Sequence, residues 1–398
     1  MAQLFSSTSA PLIDLAALPA APRAATLAAA PYTLITGGAG FVGTNLAKRL
    51  LAAGQRVLVF DNLSRSGVAH NLNWLHATHG DHLLVYVGDI RDPAAVREVV
   101  QHAEAVFHFA AQVAVTTSLD DPITDFDINA HGTLNLLEAI RAQPVPPPLL
   151  FTSTNKVYGG LEDLKLTLGG ARYQPTDKGI RAHGIGEQRP LDFHSPYGCS
   201  KGAADQYVLD YARSYGLPTV VFRMSCIYGP HQYGTEDQGW VAHFAIRALE
   251  NQPISIYGDG KQVRDILFVE DLVDAFQLAL AHMPQLAGQA FNIGGGVPNT
   301  VSLLELLDLM GQYRGAAVPL SFGAWRVGDQ HYYVSDTTKF SQATGWAPRH
   351  SVRDGVAKLY AWLCESRGLP LPADLGATKP TDKETAKPSK SAKKVVIA

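Results

Sequence analysis

The 398-residue chain is poor in cysteine and methionine, with three of the former and four of the latter. Its cysteines, Cys199, Cys226 and Cys364, are far apart and form neither a CxxC pair nor a zinc-ligand pattern, so a disulfide scaffold is excluded and no metal site is predicted. No apolar run approaches the ~18–20 residues needed to cross a bilayer. The net charge of −3 gives no electrostatic case for a nucleic-acid or membrane partner. We expect a reduced, cytoplasmic protein.

The two ends of the chain differ in composition from the rest. Residues 1–30 are rich in Ala, Pro, Ser and Leu and lack the basic start of a secretory signal, so they are predicted to be a flexible leader. Residues 375–398 are rich in Lys, Pro, Thr and Ser and cannot bury enough apolar surface to order themselves. They are predicted to be a disordered tail.

A glycine-rich turn follows the first predicted strand. The apolar run at 32–35 leads into Thr-Gly-Gly-Ala-Gly-Phe-Val-Gly at 36–43, and leucines then recur at helical spacing. Strand, glycine turn and helix in this order are typical of a dinucleotide site, in which a pyrophosphate approaches the backbone at the helix N-terminus. The candidate cofactor residues of this turn are Gly37, Gly40, Phe41, Val42 and Gly43.

Three further apolar runs end in residues suited to a nucleotide. Val57–Phe60 ends in Asp61 and Asn62, and a carboxylate there bonds the adenosine ribose and repels a 2′-phosphate, which favours NAD over NADP. The next two runs end in residues that could flank adenine or leave room for the cofactor, namely Asp89, Ile90, Ala110 and Ala111. Strands alternating with helices predict an α/β, Rossmann-type, doubly wound parallel sheet.

The pair Tyr197 and Lys201 lies four residues apart after Ser-Pro, and so on one face near the start of a predicted helix. We expect the lysine ammonium to lower the pKa of the tyrosine phenol toward neutrality. The phenol could then take and return the proton of a substrate hydroxyl during hydride transfer. Thr154 follows another predicted strand and could bridge the phenol and the substrate oxygen.

Taken together, these motifs resemble the extended short-chain dehydrogenase/reductase superfamily over roughly residues 32–365. The resemblance implies that Thr154, Tyr197 and Lys201 are catalytic, that Asn129 supports them, and that Asn129, Tyr197 and Lys201 contact tightly bound NAD. It implies a mainly NAD-binding domain at 31–220, interleaved with a smaller, mixed substrate-binding region at 221–370. It also implies a homodimer or a dimer of dimers.

The resemblance extends to residues that bind a sugar nucleotide in the family. Arg264 resembles the arginine that holds the diphosphate, and Arg326 and Asp329 resemble a late arginine and acid that grip phosphate and ribose. Sugar-nucleotide 4,6-dehydratases carry an Asp-Glu pair where this chain has Asn155 and Lys156, so a dehydratase is not expected. The candidate substrate residues are Gln112, Thr154, Asn155, Lys156, His194, Gln238, Arg264, Arg326 and Asp329.

Three segments, 153–159, 191–207 and 237–240, resemble the CDP-paratose 2-epimerases (CDP-tyvelose epimerases) of the NAD-dependent epimerase/dehydratase family. The resemblance implies a CDP-sugar substrate and inversion at C2 by transient oxidation and re-reduction. A UDP-hexose 4-epimerase and a CDP-glucose 2-epimerase are alternatives on the same scaffold. A dehydrogenase that accumulates NADH and a non-catalytic NAD-binding module are more distant alternatives.

Overall fold

The computed structural model describes residues 27–80, 82–326, 329–372 and 375. The predicted leader and tail therefore lie almost entirely outside the described residues. Within the part that is described, no helix is long and apolar enough to cross a membrane, and no group of three or more His, Cys, Asp and Glu side chains could hold a metal ion.

The first half of the chain alternates strands and helices. In chain order it contains β1 (Tyr32–Thr36), α1 (Phe41–Ala52), β2 (Val57–Asp61), α2 (Val68–His79), β3 (Leu83–Val87), α3 (Pro93–Val100), β4 (Ala103–His108), α4 (Val115–Asp120), α5 (Pro122–Phe126), a π-helical turn (Asp127–His131), α6 (Gly132–Arg141), β5 (Leu149–Thr154) and a 3₁₀ turn (Asn155–Tyr158).

The second half is more mixed. It contains β6 (Leu166–Gly169), β7 (Arg172–Pro175), α7 (Lys178–His183), α8 (Ser195–Tyr215), β8 (Thr219–Met224), β9 (Cys226–Tyr228), α9 (Trp240–Leu249), β10 (Ile254–Tyr257), β11 (Val263–Phe268), α10 (Val269–Ala281), α11 (Met283–Leu286), β12 (Gln289–Ile293), a 3₁₀ turn (Val297–Asn299), β13 (Thr300–Ser302), α12 (Leu303–Arg314), β14 (Leu320–Gly323), β15 (Tyr332–Tyr333), α13 (Thr338–Thr344) and α14 (Val352–Ser366).

The central sheet confirms the predicted fold class. Seven parallel strands lie in the order β12-β8-β5-β4-β1-β2-β3. Successive residues of β1 point to opposite faces: Ile35 packs in the core under α1, α2 and α10, while Leu34 packs in the core under α3, α6 and α8. The strand order changes direction between β1 and β4, which is where doubly wound folds bind their ligands.

The remaining strands form small sheets beside the carboxyl edge of the central one. Strand β11 pairs with β9, β13 and β15, and β10 pairs with β14. A separate core packs these strands against α9, α12 and α14. Because β8 and β12 complete the central sheet, the later half of the chain contributes to both regions. The domain division at residue 220 stays a prediction.

Candidate active site

A cavity of about 410 Å³ lies at the carboxyl ends of the central strands. It brings together most of the residues predicted to bind cofactor or to act in catalysis. Those that line it are Gly37, Gly40, Phe41, Val42, Gly43, Asp61, Asn62, Asp89, Ile90, Ala110, Ala111, Thr154, Asn155, Lys156, Tyr197, Lys201 and Gln238. Residues far apart in sequence meet here because parallel strands end at one edge of the sheet.

The glycine turn has the shape that a close-approaching ligand requires. Gly37 has φ +66°, and a Cβ there would lie 2.6 Å from the Ala110 backbone nitrogen. A Cβ at Gly43 would lie 2.5 Å from the Gly37 carbonyl oxygen, so α1 can approach β1 only with glycine at this position. The first turn of α1 has no side-chain cap at Gly40, and its N–H groups, including those of Phe41 and Val42, are available to an anion.

Two acidic side chains at the ends of neighbouring strands, Asp61 and Asp89, line the cavity. Asp61, at the end of β2, accepts hydrogen bonds from the N–H groups of Ala39 at 3.1 Å and Leu63 at 2.9 Å, and burial raises its pKa. The Asn62 amide donates to Asp89 at 2.9 Å, and Arg91 donates to the same carboxylate through two N–H groups. The Asp61 carboxylate is therefore held by backbone groups and faces the cavity, whereas Asp89 is paired with a neighbouring cation.

Helix α8 brings Tyr197 and Lys201 to the cavity beside Thr154. Ser195, with φ +63°, and Pro196 form the start of α8, and the Tyr197 N–H donates to the Ser118 hydroxyl at 3.2 Å. Tyr197 and Lys201 are 9% and 4% exposed. The Lys201 ammonium lies 4.2 Å from the ring centroid of Phe151, on the strand that ends at Thr154.

The predicted depression of the Tyr197 pKa is wrong for this structure. Burial raises the pKa of Tyr197 to about 12, although a hydrogen bond with Thr154 and the charge of Arg65 act to lower it. Burial also lowers the pKa of Lys201 to about 7, against the charges of Asp205 and Asp125. Both side chains are buried and favour their neutral forms, because removal from water destabilises a charge more than the neighbours stabilise it.

Asn129 and Gln112 do not line the cavity. The Asn129 amide donates to the Gln112 carbonyl oxygen at 3.1 Å, the Asp125 carboxylate at 3.2 Å and the Ser200 hydroxyl at 3.0 Å, and its oxygen accepts from the Gln112 N–H at 2.9 Å. Asn129 lies in the π-helical turn that leads directly into α6. It connects the loop after β4 to α8, which is a supporting position, and its contact with the cofactor stays a prediction.

The positions that distinguish dehydratases hold no carboxylate here. The Asn155 amide donates to the buried Gln330 side chain at 3.1 Å, and Gln330 donates to the Gly159 carbonyl at 2.6 Å. Lys156 faces the cavity, and burial, followed by the charge of Arg264, lowers its pKa to about 8.

The remaining predicted substrate residues, Arg264, Arg326, Asp329 and His194, are not in the wall of the cavity. Arg264 is buried and donates to Asp329 at 2.7 Å. Arg326 lies 3.9 Å from the ring centroid of Tyr257 and 3.6 Å from Asp237, which does line the cavity. His194 is half exposed and bonds Asp192 at 3.1 Å.

Comparison with known proteins decides the family. A sequence profile described as "NAD dependent epimerase/dehydratase family" matches residues 33–294. The chain belongs to this family. It is 48% identical to a CDP-paratose 2-epimerase of Salmonella typhi over 83% of this chain and 98% of that protein. It is 35% identical to a UDP-glucose 4-epimerase of Mycolicibacterium smegmatis, over 82% and 96%.

Solved structures of proteins with related functions resemble this chain in fold. The crystal structure of a Thermus thermophilus UDP-glucose 4-epimerase in complex with NAD superposes with a TM-score of 0.68 at 32% identity, covering 83% of this chain and 98% of that one. NAD is the cofactor of the epimerase/dehydratase family, and the uncapped N-terminus of α1, the close-packed glycines and the Asp61 carboxylate form a cavity that suits it.

Sequence reasoning missed several polar residues that the family fold brings to the site. Arg65 lines the cavity near Asp61 and Tyr197. Asp125 and Asp205 are fully buried and act electrostatically on Lys201. Asp205 could have been noticed, because it follows Lys201 by one helical turn. Asp125 gave no comparable signal, since its link to α8 is formed only in three dimensions.

Proposed function

We propose that this protein inverts C2 of CDP-paratose to give CDP-tyvelose, by transient oxidation and re-reduction of one carbon. The observation that carries the proposal is that one cavity is lined both by the hydride-transfer residues and by the two residues that replace the dehydratase carboxylates. These residues are Thr154, Tyr197 and Lys201, and Asn155 and Lys156. The 48% identity to a CDP-paratose 2-epimerase over 83% of the chain supports the choice of sugar and base. CDP-tyvelose would then supply O-antigen assembly.

The side chains have distinct parts in such a reaction. The glycine turn, the N-terminus of α1 and Asp61 would hold NAD, which would supply the reversible hydride acceptor. Tyr197 takes the proton of the substrate hydroxyl and gives it back, since its phenol reaches the cavity and contacts Thr154. Thr154 orients the substrate oxygen by a hydrogen bond. Lys201 supplies positive charge beside the phenol when it is protonated, which favours the phenolate.

Epimerisation fits the site better than dehydration. Water elimination from a keto-sugar needs a proton donor and acceptor beside the leaving hydroxyl. Here Asn155 is engaged with Gln330 and is neither an acid nor a base, so Lys156, whose pKa burial lowers to about 8, is the single titratable group at these two positions. A ketone formed in this cavity lacks the donor and acceptor pair that would expel its neighbouring hydroxyl.

Substrate recognition would use both the cavity and the residues beside it. Lys156 and Gln238 face the cavity directly. Arg264 would bind a diphosphate only after breaking its ion pair with Asp329. Arg326 would bind the diphosphate from its position beside Asp237. His194 and Gln112 remain proposed contacts of the sugar.

The experiment compares nucleotide sugars. The purified full chain is incubated with CDP-paratose, CDP-glucose and UDP-glucose, and the inverted carbon is located by NMR. We expect CDP-paratose to be inverted at C2 without accumulation of NADH. Inversion of UDP-glucose at C4 would favour the second candidate, a UDP-hexose 4-epimerase, which the 35% identity to such an enzyme supports. Net NADH formation would indicate a dehydrogenase.

An exposed apolar surface supports a homodimer. Leu119, Ile123 and Phe126 on α4 and α5 are 55%, 74% and 55% exposed, and both helices pack on α8, where Tyr207 is 47% exposed. We expect two chains to bury this surface, with a dimer of dimers as the larger alternative. Ile123→Asp should lower the mass measured by sedimentation toward that of one chain, 42.8 kDa. An unchanged mass would contradict this interface.

A cytoplasmic location is also part of the proposal. Cys199, Cys226 and Cys364 are all free thiols, as a reducing compartment would keep them.

A further inference from the structure

A buried carboxylate lies behind the catalytic helix without a cationic partner. Asp125, on α5, has no exposed surface. One of its oxygens accepts a hydrogen bond from the Ser200 hydroxyl, and the other accepts from the Asn129 amide at 3.2 Å. Both donors are neutral. Among the residues that the structure describes, no Lys, Arg or His nitrogen lies within 4.0 Å of Asp125.

A second buried carboxylate near Lys201 is differently placed. Asp205 follows Lys201 by one turn of α8, but Arg223 donates to both of its oxygens at 2.9 Å. Asp205 therefore has a cationic partner in Arg223, although its charge still acts on Lys201, ahead of that of Asp125. Asp125 has no such partner: burial raises its pKa, and the Ser200 hydrogen bond and then the charge of Lys201 act to lower it.

We propose that Asp125 is a positioning residue of the Tyr197–Lys201 pair, and that its buried carboxylate keeps the site protonated while Ser200 ties it to the first turns of α8. This inference rests on the proposed function in using Tyr197 and Lys201. Ser200 is adjacent to Lys201, and its hydroxyl also donates to the Tyr197 carbonyl oxygen at 3.2 Å. Asp125 is thus connected to the backbone that carries both groups.

The sign of the effect follows from the charge. A negative group near Lys201 favours its ammonium form, and the same group near Tyr197 disfavours its phenolate. Both actions hold protons in the site. Removing the charge lowers the pKa of both groups, so each titrates at a lower pH.

The other charged groups around the pair are the same in wild type and in an Asp125 variant. Asp205, on α8 itself, also favours the ammonium form of Lys201 but is paired with Arg223 of β8, and Arg65, from the loop after β2, acts to lower the pKa of Tyr197. His108, on β4, is neutral in the working range because burial lowers its pKa to about 3. Phe151 of β5 presents only its ring. Asp125 is the net anion that α5 brings to Lys201.

The test is the pH profile of kcat for the full chain with its epimerised sugar, in wild type and Asp125→Asn. We expect both limbs of the Asp125→Asn profile to move by about half to one pH unit toward acid. The matched control is Asp127→Asn, which removes a carboxylate 44% exposed on the next turn and should leave both limbs in place. A lower amplitude with unmoved limbs would overturn the inference and leave Asp125 a structural residue only.

A second variant covers the case in which Asp125→Asn does not fold. Ser200→Ala removes one donor from Asp125, so the carboxylate protonates more readily, and we expect a smaller shift in the same direction. Limbs identical to those of wild type would overturn the proposal. Failure of the proposed function is separate, because it would appear as a wild-type protein that epimerises none of the sugars.

Discussion

Tyr197→Phe is expected to lower kcat for epimerisation by about three orders of magnitude while NAD stays bound. The phenol is the group in the cavity that can take and return the substrate proton, and removal of a general acid–base typically costs a factor of about 10² to 10⁴. Tyr197 is 9% exposed and its ring would remain, so the packing of α8 is preserved. Retained NAD is measured by absorbance of the nucleotide released from the denatured protein.

Tyr215→Phe is the matched control for this change. It removes a phenol from the same helix, but one that is 54% exposed and outside the cavity wall. Its kcat should equal that of wild type within a factor of two or so. Turnover by Tyr197→Phe at the wild-type rate would mean that another group carries the proton.

Arg223→Met is expected to lower the free energy of unfolding by about 3–5 kcal/mol, because it leaves a buried charge without its partner. Arg223 and Asp205 have side chains that are 6% and 0% exposed, and the arginine also donates to the Tyr158 hydroxyl at 3.2 Å. Without the arginine, Asp205 is an uncompensated charge in the core, which is strongly unfavourable. Urea denaturation at neutral pH measures the loss.

Two further variants test whether the loss of stability comes from the unpaired buried charge or from the removal of any arginine. Arg213→Met removes an arginine of α8 that is 78% exposed and 3.6 Å from Asp210, so the change in stability should stay within about 0.5 kcal/mol. Arg223→Met combined with Asp205→Leu removes both buried charges and should recover much of the loss. A double variant no more stable than Arg223→Met would show that the unpaired charge is not the cause.

The parts of the fold and site that the sequence predicted are those determined locally. Gly37, Gly40 and Gly43 follow a strand and precede a helix, and that order alone predicts a nucleotide-binding turn. Tyr197 and Lys201 are four residues apart on one helix, so they share a helix face whatever the tertiary structure of the rest of the chain. Strands alternating with helices predict the parallel sheet, which the structure contains.

What the sequence could not predict depends on burial and on contacts between distant segments. The pKa of Tyr197 is raised mainly by burial, and the spacing to Lys201 carries no information about burial. Arg264 looked free to hold a phosphate, but folding pairs it with Asp329 from a loop 65 residues later. Asp125 reaches α8 only because α5 packs on it.

Conversion of CDP-paratose labelled with deuterium at C2 tests the central claim most directly. If the protein oxidises and re-reduces C2 within a closed site, the deuterium leaves with the hydride and returns to the same carbon. The account predicts CDP-tyvelose that keeps nearly all its deuterium at C2, formed without net NADH. Loss of the label to water would contradict hydride return, and inversion at another carbon with C2 untouched would contradict the proposed substrate chemistry.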